Sequence, residues 1–264
     1  MRFKLNLLSQ NAYPVIPVNY QYPLSAVIYR ILGSADQDYA AFLHDAGYQK
    51  KDSLKSFKLF TFSDIRTPFK IESDRFRLLT PQAELEVCFH LPQAAEKFIR
   101  GLFMNQQMEI ADRKSKAAFT IAQIESLPTI LTQNDRQELV LQPLSPVVSG
   151  KKDERGNYAF LAPEHPEFVQ QLMYNWREKY KTVYGTDEAE AAFTRAGMDV
   201  IFYHNPPKSK LITIKADTDA ETKIRGFTNF RLNVLGSRAA LELLLNAGAG
   251  IYNSLGMGCV DVGK

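Results

Sequence analysis

Little in this sequence announces a function. Among 264 residues there are two cysteines, one tryptophan and four histidines, and the formal net charge is only +3. Cys88 and Cys259 are far apart and neither stands in a CxxC, so they read as two buried small hydrophobes rather than a disulfide or a metal pair. His44, His90, His165 and His204 are scattered, with no HxH, no HExxH and no carboxylate cluster. Neither a metal nor any other cofactor is therefore expected. No window holds the ~18 or more apolar residues that a membrane span needs. The most apolar stretch, Leu241 to Tyr252, is broken by Glu242, Asn246 and glycines. The opening MRFKLNLLSQ lacks the continuous apolar region of a signal peptide. The expected location is the cytoplasm, away from membranes. What is present is an ordinary globular composition, 45% hydrophobic and 23% charged. A chain of this length folds as one large domain or two small ones without disulfides or metals.

The small net charge is a near cancellation. Residues 50–70 hold Lys50, Lys51, Lys55, Lys58, Arg66 and Lys70 against Asp52 and Asp64. Residues 205–231 hold Lys208, Lys210, Lys215, Lys223, Arg225 and Arg231 against Asp217, Asp219 and Glu221. Residues 153–199, in contrast, carry five basic and nine acidic side chains. Clustered lysine and arginine attract phosphates and release counterions, the footprint of nucleic-acid binding. Each cluster alone also fits a solvated surface.

Periodicity gives the order of elements. Residues 2–8 alternate in period two, which predicts a half-buried strand. Leu24, Val27, Ile28 and Ile31 form the stripe of an amphipathic helix. Asp36 starts a second helix, with Gly47 as its stop. Phe57 to Phe62 and Arg75 to Thr80 read as strands, Pro92 to Asn105 as a helix and Phe119 to Ser126 as a strand. The second half repeats this order. Glu138 to Ser149 is strand-like, interrupted by Pro143 and Pro146, and residues 164–181 form a helix with Phe168, Leu172, Trp176 and Tyr180 at spacings of four. Met198 to Tyr203, Leu211 to Ala216 and Phe227 to Leu235 read as strands. Ser237 caps a helix through Leu245, and a last strand ends at Val262. Two successive βαββαβ units predict an α+β chain of two tandem ferredoxin-like, RRM-like domains with antiparallel sheets, residues 1–130 and 131–264.

The most specific motif is Gly248-Ala-Gly250, five residues, then Gly256-Met-Gly258. A dinucleotide fingerprint would follow a strand and open a helix, but this segment follows a helix. A Walker A loop would end in Gly-Lys-Ser/Thr. What remains is a glycine-rich loop whose backbone takes positive φ and approaches a partner closely, with amides able to receive phosphate oxygens. A helix cap and a tight turn would explain one glycine more easily than four.

With this loop at the end of a double βαββαβ chain, the sequence resembles the repeat-associated RNA-binding (RAMP) proteins of CRISPR systems. More narrowly, it is similar to the sixth Cas family, endoribonucleases that cut precursor CRISPR RNA within each repeat. GAGIYNSLGMG matches the family's terminal loop in spacing. YPLSAVIYRIL resembles its first helix, AFLHDAGY the short helix bearing a histidine, FKLFTFS the following strand and LSPVVS the start of the second domain. The middle of the loop, often basic in the family, here reads Ile251-Tyr252-Asn253-Ser254-Leu255, which weakens the expected phosphate clamp.

The resemblance implies metal-independent cleavage by a general acid–base triad, carried over as Tyr29, His44 and Lys58. Taken alone, Tyr29 and His44 lie off the apolar stripes of their helices and read as surface or boundary residues, and Lys58 reads as an edge-strand lysine. The chemistry explains why such a trio suffices. RNA carries its own nucleophile, the 2′-hydroxyl, so the enzyme moves protons and stabilises charge on phosphorus. His44 is the expected base or acid, Tyr29 its counterpart or an orienting group, and Lys58 a charge stabiliser. The implied products are a 2′,3′-cyclic phosphate and a 5′-hydroxyl. RNA contacts are expected from Lys208, Lys210, Lys223, Arg225 and Arg231, arranged as a basic hairpin, and from Gly248, Gly250, Asn253, Ser254, Gly256 and Gly258. The expected partner is CRISPR repeat RNA, with a CRISPR effector complex and a second copy of the chain as further candidates. A non-catalytic RNA-binding subunit of such a complex is the competing reading.

Overall fold

The computed structural model describes residues 1–50, 55–154, 156, 158–216 and 218–263. Lys51, Asp52, Arg155 and Asp217, counted in the charge clusters, lie outside the described residues.

The first half runs β1 (Arg2–Ser9), β2 (Val15–Pro17), α1 (Gln21–Ala35), α2 (Gln37–Asp45), β3 (Tyr48–Gln49), β4 (Ser56–Phe57), β5 (Phe60–Phe62), β6 (Phe69–Glu72), β7 (Arg75–Leu78), β8 (Gln82–Phe89), α3 (Pro92–Met104), β9 (Gln107–Ala111) and β10 (Lys116–Leu127). β1 takes the centre of a five-stranded sheet ordered β5-β8-β1-β10-β9. Its alternation puts Phe3, Leu5 and Leu7 into the core, where they meet the stripe Leu24, Val27, Ile28 and Ile31 of α1. Asp36 caps α2 by accepting from the Tyr39 amide at 2.9 Å, as its side-chain type favours.

The second half runs β11 (Arg136–Pro143), β12 (Ser149–Lys152), β13 (Tyr158–Leu161), α4 (Phe168–Tyr184), α5 (Thr186–Phe193), β14 (Gly197–Phe202), β15 (Lys208–Ile214), β16 (Thr222–Thr228), β17 (Phe230–Ser237), α6 (Arg238–Ala247), a 3₁₀ turn at Asn253–Leu255 and β18 (Val260–Val262). Its main sheet is ordered β14-β17-β11-β18. Counting only sheet strands that match the βαββαβ plan, both halves are ordered second, third, first, fourth. This is the tandem ferredoxin-like arrangement. Each half also inserts a hairpin between its second and third strands, β6–β7 in one and β15–β16 in the other.

The strand readings need three corrections. The run Phe57 to Phe62 is broken by Leu59, which takes φ of 54°, so Lys58 sits in a joint rather than inside a strand. The run Arg75 to Thr80 gives β7, but β7 pairs with β2 and β6 outside the main sheet. The strand that completes the sheet is β8, which the sequence reading did not contain although Ala83, Leu85, Val87 and Phe89 alternate with Gln82, Glu84, Glu86 and Cys88; Val87, Cys88 and Phe89 are all fully buried. The run Phe227 to Leu235 is two strands, β16 and β17, separated by Asn229 at φ of 63°. α5 and β9 are elements that the sequence reading did not contain.

The halves meet along a polar seam. Arg2, almost wholly buried, donates to Glu86 of its own sheet at 3.0 Å and to Asp261 of the other half at 2.8 Å. Thr61 Oγ1 donates to the Met257 carbonyl at 2.9 Å. The Tyr184 hydroxyl lies 3.1 Å from His90 Nε2.

Candidate active site

α1 and α2 bring Tyr29 and His44 edge to face, with ring centroids 5.0 Å apart. The Tyr29 ring also packs on Phe60 of β5 at 5.5 Å. Lys58 closes the group, its ammonium donating to the His44 carbonyl at 2.8 Å. Gly47 makes this approach possible. At φ of +68° it turns the chain after α2, and a Cβ there would stand 2.8 Å from Lys58 Cδ and 2.9 Å from the Phe57 carbonyl. The three residues carried over from the resemblance thus converge.

Their environments differ. The His44 side chain is 67% exposed, and its Nδ1 lies 2.7 Å from Asp45 Oδ1, leaving Nε2 toward solvent. Burial lowers the Lys58 ammonium, with nearby Asp45 opposing. Burial also pushes the Tyr29 hydroxyl up to about 12, against a hydrogen bond with the Ser254 side chain that draws it down. Tyr29 is therefore more enclosed than its place on the helix suggests, because the glycine segment of the other half packs over it. Ser25, one turn before Tyr29, donates to the Ser254 carbonyl at 2.7 Å.

The glycine segment is held from within. Gly248, Gly250, Gly256 and Gly258 all have positive φ. At Gly256 the requirement is steric as well, since a Cβ would lie 2.3 Å from the Phe62 ring. The amides of Gly248, Ala249, Ile251, Leu255, Gly256 and Gly258 donate to carbonyls of the protein itself. The Asn253 amide group donates to the carbonyls of Ala249 and Met257. Asn253 Oδ1 accepts from Lys179 at 2.6 Å, and the same ammonium donates to the carbonyls of Gly248 at 2.6 Å and Gly250 at 3.0 Å. Lys179 is only 3% exposed, and burial lowers it to about 7. It stands at the carbonyl end of α6, where a cation is favoured. These groups therefore serve chiefly to shape the segment and to dock it on α1 and β5.

Lys58 and Ser254, the partners of the Tyr29–His44 pair, line a groove of about 440 Å³ between the halves. Its walls include Lys55 and Phe57 from the first half and Lys152, Tyr158 and Tyr174 from the second. Lys55 lies 3.8 Å from the centroid of the Tyr174 ring, and Lys152 lies 5.5 Å from that of Tyr158. Cations beside aromatic faces in an open groove suit a single-stranded nucleic acid, whose phosphates and bases they contact together. Sequence reasoning missed Lys152, Tyr158, Tyr174 and Lys179. Among the described residues, no three His, Cys, Asp or Glu side chains gather in a way that could hold a metal ion.

Comparison with known proteins decides the family. The description "CRISPR associated protein Cas6, C-terminal" matches residues 129–262, and "CRISPR-associated protein Cas6, N-terminal" matches residues 15–124. The chain belongs to the Cas6 family. It is 26% identical to the CRISPR-associated endoribonuclease Cas6 1 of Methanocaldococcus jannaschii, over 98% of this chain and 92% of the relative. It is also 26% identical to the CRISPR-associated endoribonuclease Cas6 of Pyrococcus furiosus, over 99% and 90% of the two chains. In fold it resembles the structure of a Cas6-related gene product from Pyrococcus furiosus, with a TM-score of 0.78, 21% identity and coverage of 100% and 98%. A RAMP protein binding different RNA substrates gives a TM-score of 0.78 at 20% identity, each chain fully covered.

In this Cas6 chain the cations of the expected basic hairpin stand in different environments. Lys210 lies on the inner face of β15, with its ammonium 3.3 Å from both Asp64 oxygens and 5.2 Å from the Tyr20 ring centroid. It ties the hairpin to the first half. Lys223 and Arg225 stand exposed on the outer face of β16, with Lys208 exposed at the start of β15. Arg231 is not part of the hairpin. It lies on β17 and donates from Nε to the Tyr203 hydroxyl at 2.9 Å. No helix among the described residues is long and apolar enough to cross a membrane.

Proposed function

We propose that this chain cuts precursor CRISPR RNA within its repeats, without a metal, by attack of a 2′-hydroxyl on the adjacent phosphate. The observation that carries this reading is the convergence of Tyr29, His44 and Lys58, with Lys58 itself lining a cationic, aromatic groove. The activity printed in the names of the Cas6 relatives supports it.

The roles follow from environment. His44, exposed and held through Nδ1, offers Nε2 to take the proton of the 2′-hydroxyl or return one to the leaving 5′-oxygen. Tyr29, protonated at neutral pH like any tyrosine and pushed further up by burial, acts as an orienting donor. Lys58 stands beside His44 to stabilise the charge that develops on phosphorus. The products are a 2′,3′-cyclic phosphate and a 5′-hydroxyl. In this reading residues 1–130 form the domain that supplies the reacting groups. Residues 131–264 form the one that supplies the glycine segment, most of the groove's aromatic rings and the basic hairpin. Location in the cytoplasm, transfer of product to a CRISPR effector complex and pairing with a second copy belong to the same reading.

Purified protein incubated with its cognate repeat RNA in excess EDTA should cut at one position. A 2′-deoxy nucleotide 5′ of that phosphate should abolish cutting while leaving binding intact. Normal cleavage of the deoxy substrate would sink the mechanism. Tight binding of the unmodified repeat with no cleavage would instead favour the RNA-binding subunit.

A further inference from the structure

Cys88 and Cys259 are the chain's only cysteines, and the structure brings them together across the seam. Cys88 lies on β8 of the first half and Cys259 directly precedes β18 of the second. They are 171 residues apart in sequence, yet their sulfurs are 4.0 Å apart. Both are fully buried, and neither belongs to the groove or to the Tyr29–His44–Lys58 group.

The backbones on both sides are fixed. Cys88 sits opposite Arg2 on one flank of β8 and opposite Thr61 on the other. The Cys259 amide donates to Ser145 Oγ at 3.0 Å, and its carbonyl accepts from the Leu144 amide at 2.7 Å. A disulfide needs the sulfurs to close from 4.0 Å to about 2 Å. The two thiols are also chemically unequal. The hydrogen bond with Cys259 draws the Cys88 thiol down, and the neighbouring Arg2 guanidinium and Met1 ammonium add to this against the effect of burial. The same hydrogen bond, with burial, pushes Cys259 up. The positive charges of Arg2 and Met1 therefore stand on the Cys88 side of the pair.

We propose that Cys88 and Cys259 are an oxidisable pair that closes into a disulfide between the two halves. The reaction needs a two-electron thiol oxidant, and diamide serves as the probe. The Cys88 sulfur adds to one nitrogen of the azo bond, and the other nitrogen takes a proton. The Cys259 sulfur then attacks the Cys88 sulfur and the S–N bond breaks. The departing nitrogen takes the second proton, so diamide leaves as its hydrazine. Two thiols lose two electrons and two protons in all. Because both sulfurs are buried, the first step waits on a local opening of the seam.

The test uses the full chain and is independent of the endoribonuclease reading. Reduced protein is incubated with diamide below its unfolding temperature, quenched with an alkylating agent, denatured and digested without reductant. The expected result is one peptide pair joining Cys88 to Cys259 within a single molecule, with two thiols lost per chain. The melting temperature should rise by about 5 °C or more, as closing so long a loop implies, and dithiothreitol should reverse it. Cys259→Ser should keep its remaining thiol and show no rise. If that variant does not fold, the wild-type linkage still decides. Two alkylated thiols after prolonged oxidation, a link found only between molecules, or a link that fails to raise the melting temperature would each overturn the proposal.

Discussion

α1 and α4 are the first helices of two units with the same strand order, yet their polar side chains face opposite fates. α1 turns Tyr29 toward His44, beside the groove-lining Lys58. α4 turns Lys179 inward, where three oxygens of the glycine segment receive its protons. A duplicated plan therefore does not mean duplicated chemistry. One copy gathers the reacting groups, with His44 exposed and Tyr29 enclosed, and the other uses a buried cation to shape the segment that covers Tyr29. The same contrast recurs inside the β15–β16 hairpin, where Lys210 is held by Asp64 and Arg225 faces solvent.

The sharpest way to break this comparison is at His44. His44→Ala should slow cleavage by roughly 1000-fold, the scale of a lost proton-transfer group. Repeat affinity and melting temperature should hardly change, because the ring is exposed. Single-turnover rates beside filter binding would check this, and equal losses in both would place His44 in binding instead. The counterpart is Lys179→Met, which keeps the length and removes the charge. It leaves three buried oxygens short of a donor and should cost about 3 kcal/mol of stability, read from denaturant melts. A variant as stable as wild type would show that Lys179 does not hold the segment.

Acid should separate the halves at His90. Burial lowers this imidazole to about 4 from its ordinary 6.5. Between those values the unfolded chain binds a proton that the folded chain refuses, so stability falls as pH drops from 6.5 and the loss is complete near 4. The shift corresponds to about 3 kcal/mol. His90→Gln should flatten the difference between melts at pH 7 and pH 4.5, and an unchanged slope would remove His90 as its cause. The smallest effects distinguish the hairpin's cations. Arg225→Ala should leave stability unchanged and reduce the salt dependence of RNA binding by about one charge. Lys210→Ala should do the reverse, costing up to about 1 kcal/mol of stability at a partly exposed ion pair with the salt slope intact.

Much of the fold was legible because it rests on periodicity. The β1 alternation, the α1 and α4 stripes and the Ser237 cap are local patterns that tertiary contacts reinforce. β8 was not among the strands read, although its period of two is plain, with Ala83, Leu85, Val87 and Phe89 alternating with Gln82, Glu84, Glu86 and Cys88. The breaks at Leu59 and Asn229, where non-glycine residues take positive φ, were not legible. At the site, Tyr29, His44 and Lys58 came from family resemblance, and no local signal would have joined them. Lys179 did leave a trace. It falls three residues after Trp176 and seven after Leu172, on the edge of the buried stripe of α4, where a lysine is out of place unless something receives it. Tyr174 and Lys152 left none, because their value depends on a groove that forms only when the halves meet.

The glycine segment also imposes an order in time. Tyr29 and His44 precede Ser254, which bonds Tyr29, by more than two hundred residues. A nascent chain thus exposes a tyrosine and a histidine on an open surface through most of its synthesis. Only the arrival of residues 248–258 covers that tyrosine and finishes the groove, so the site is assembled well after its first residues are made.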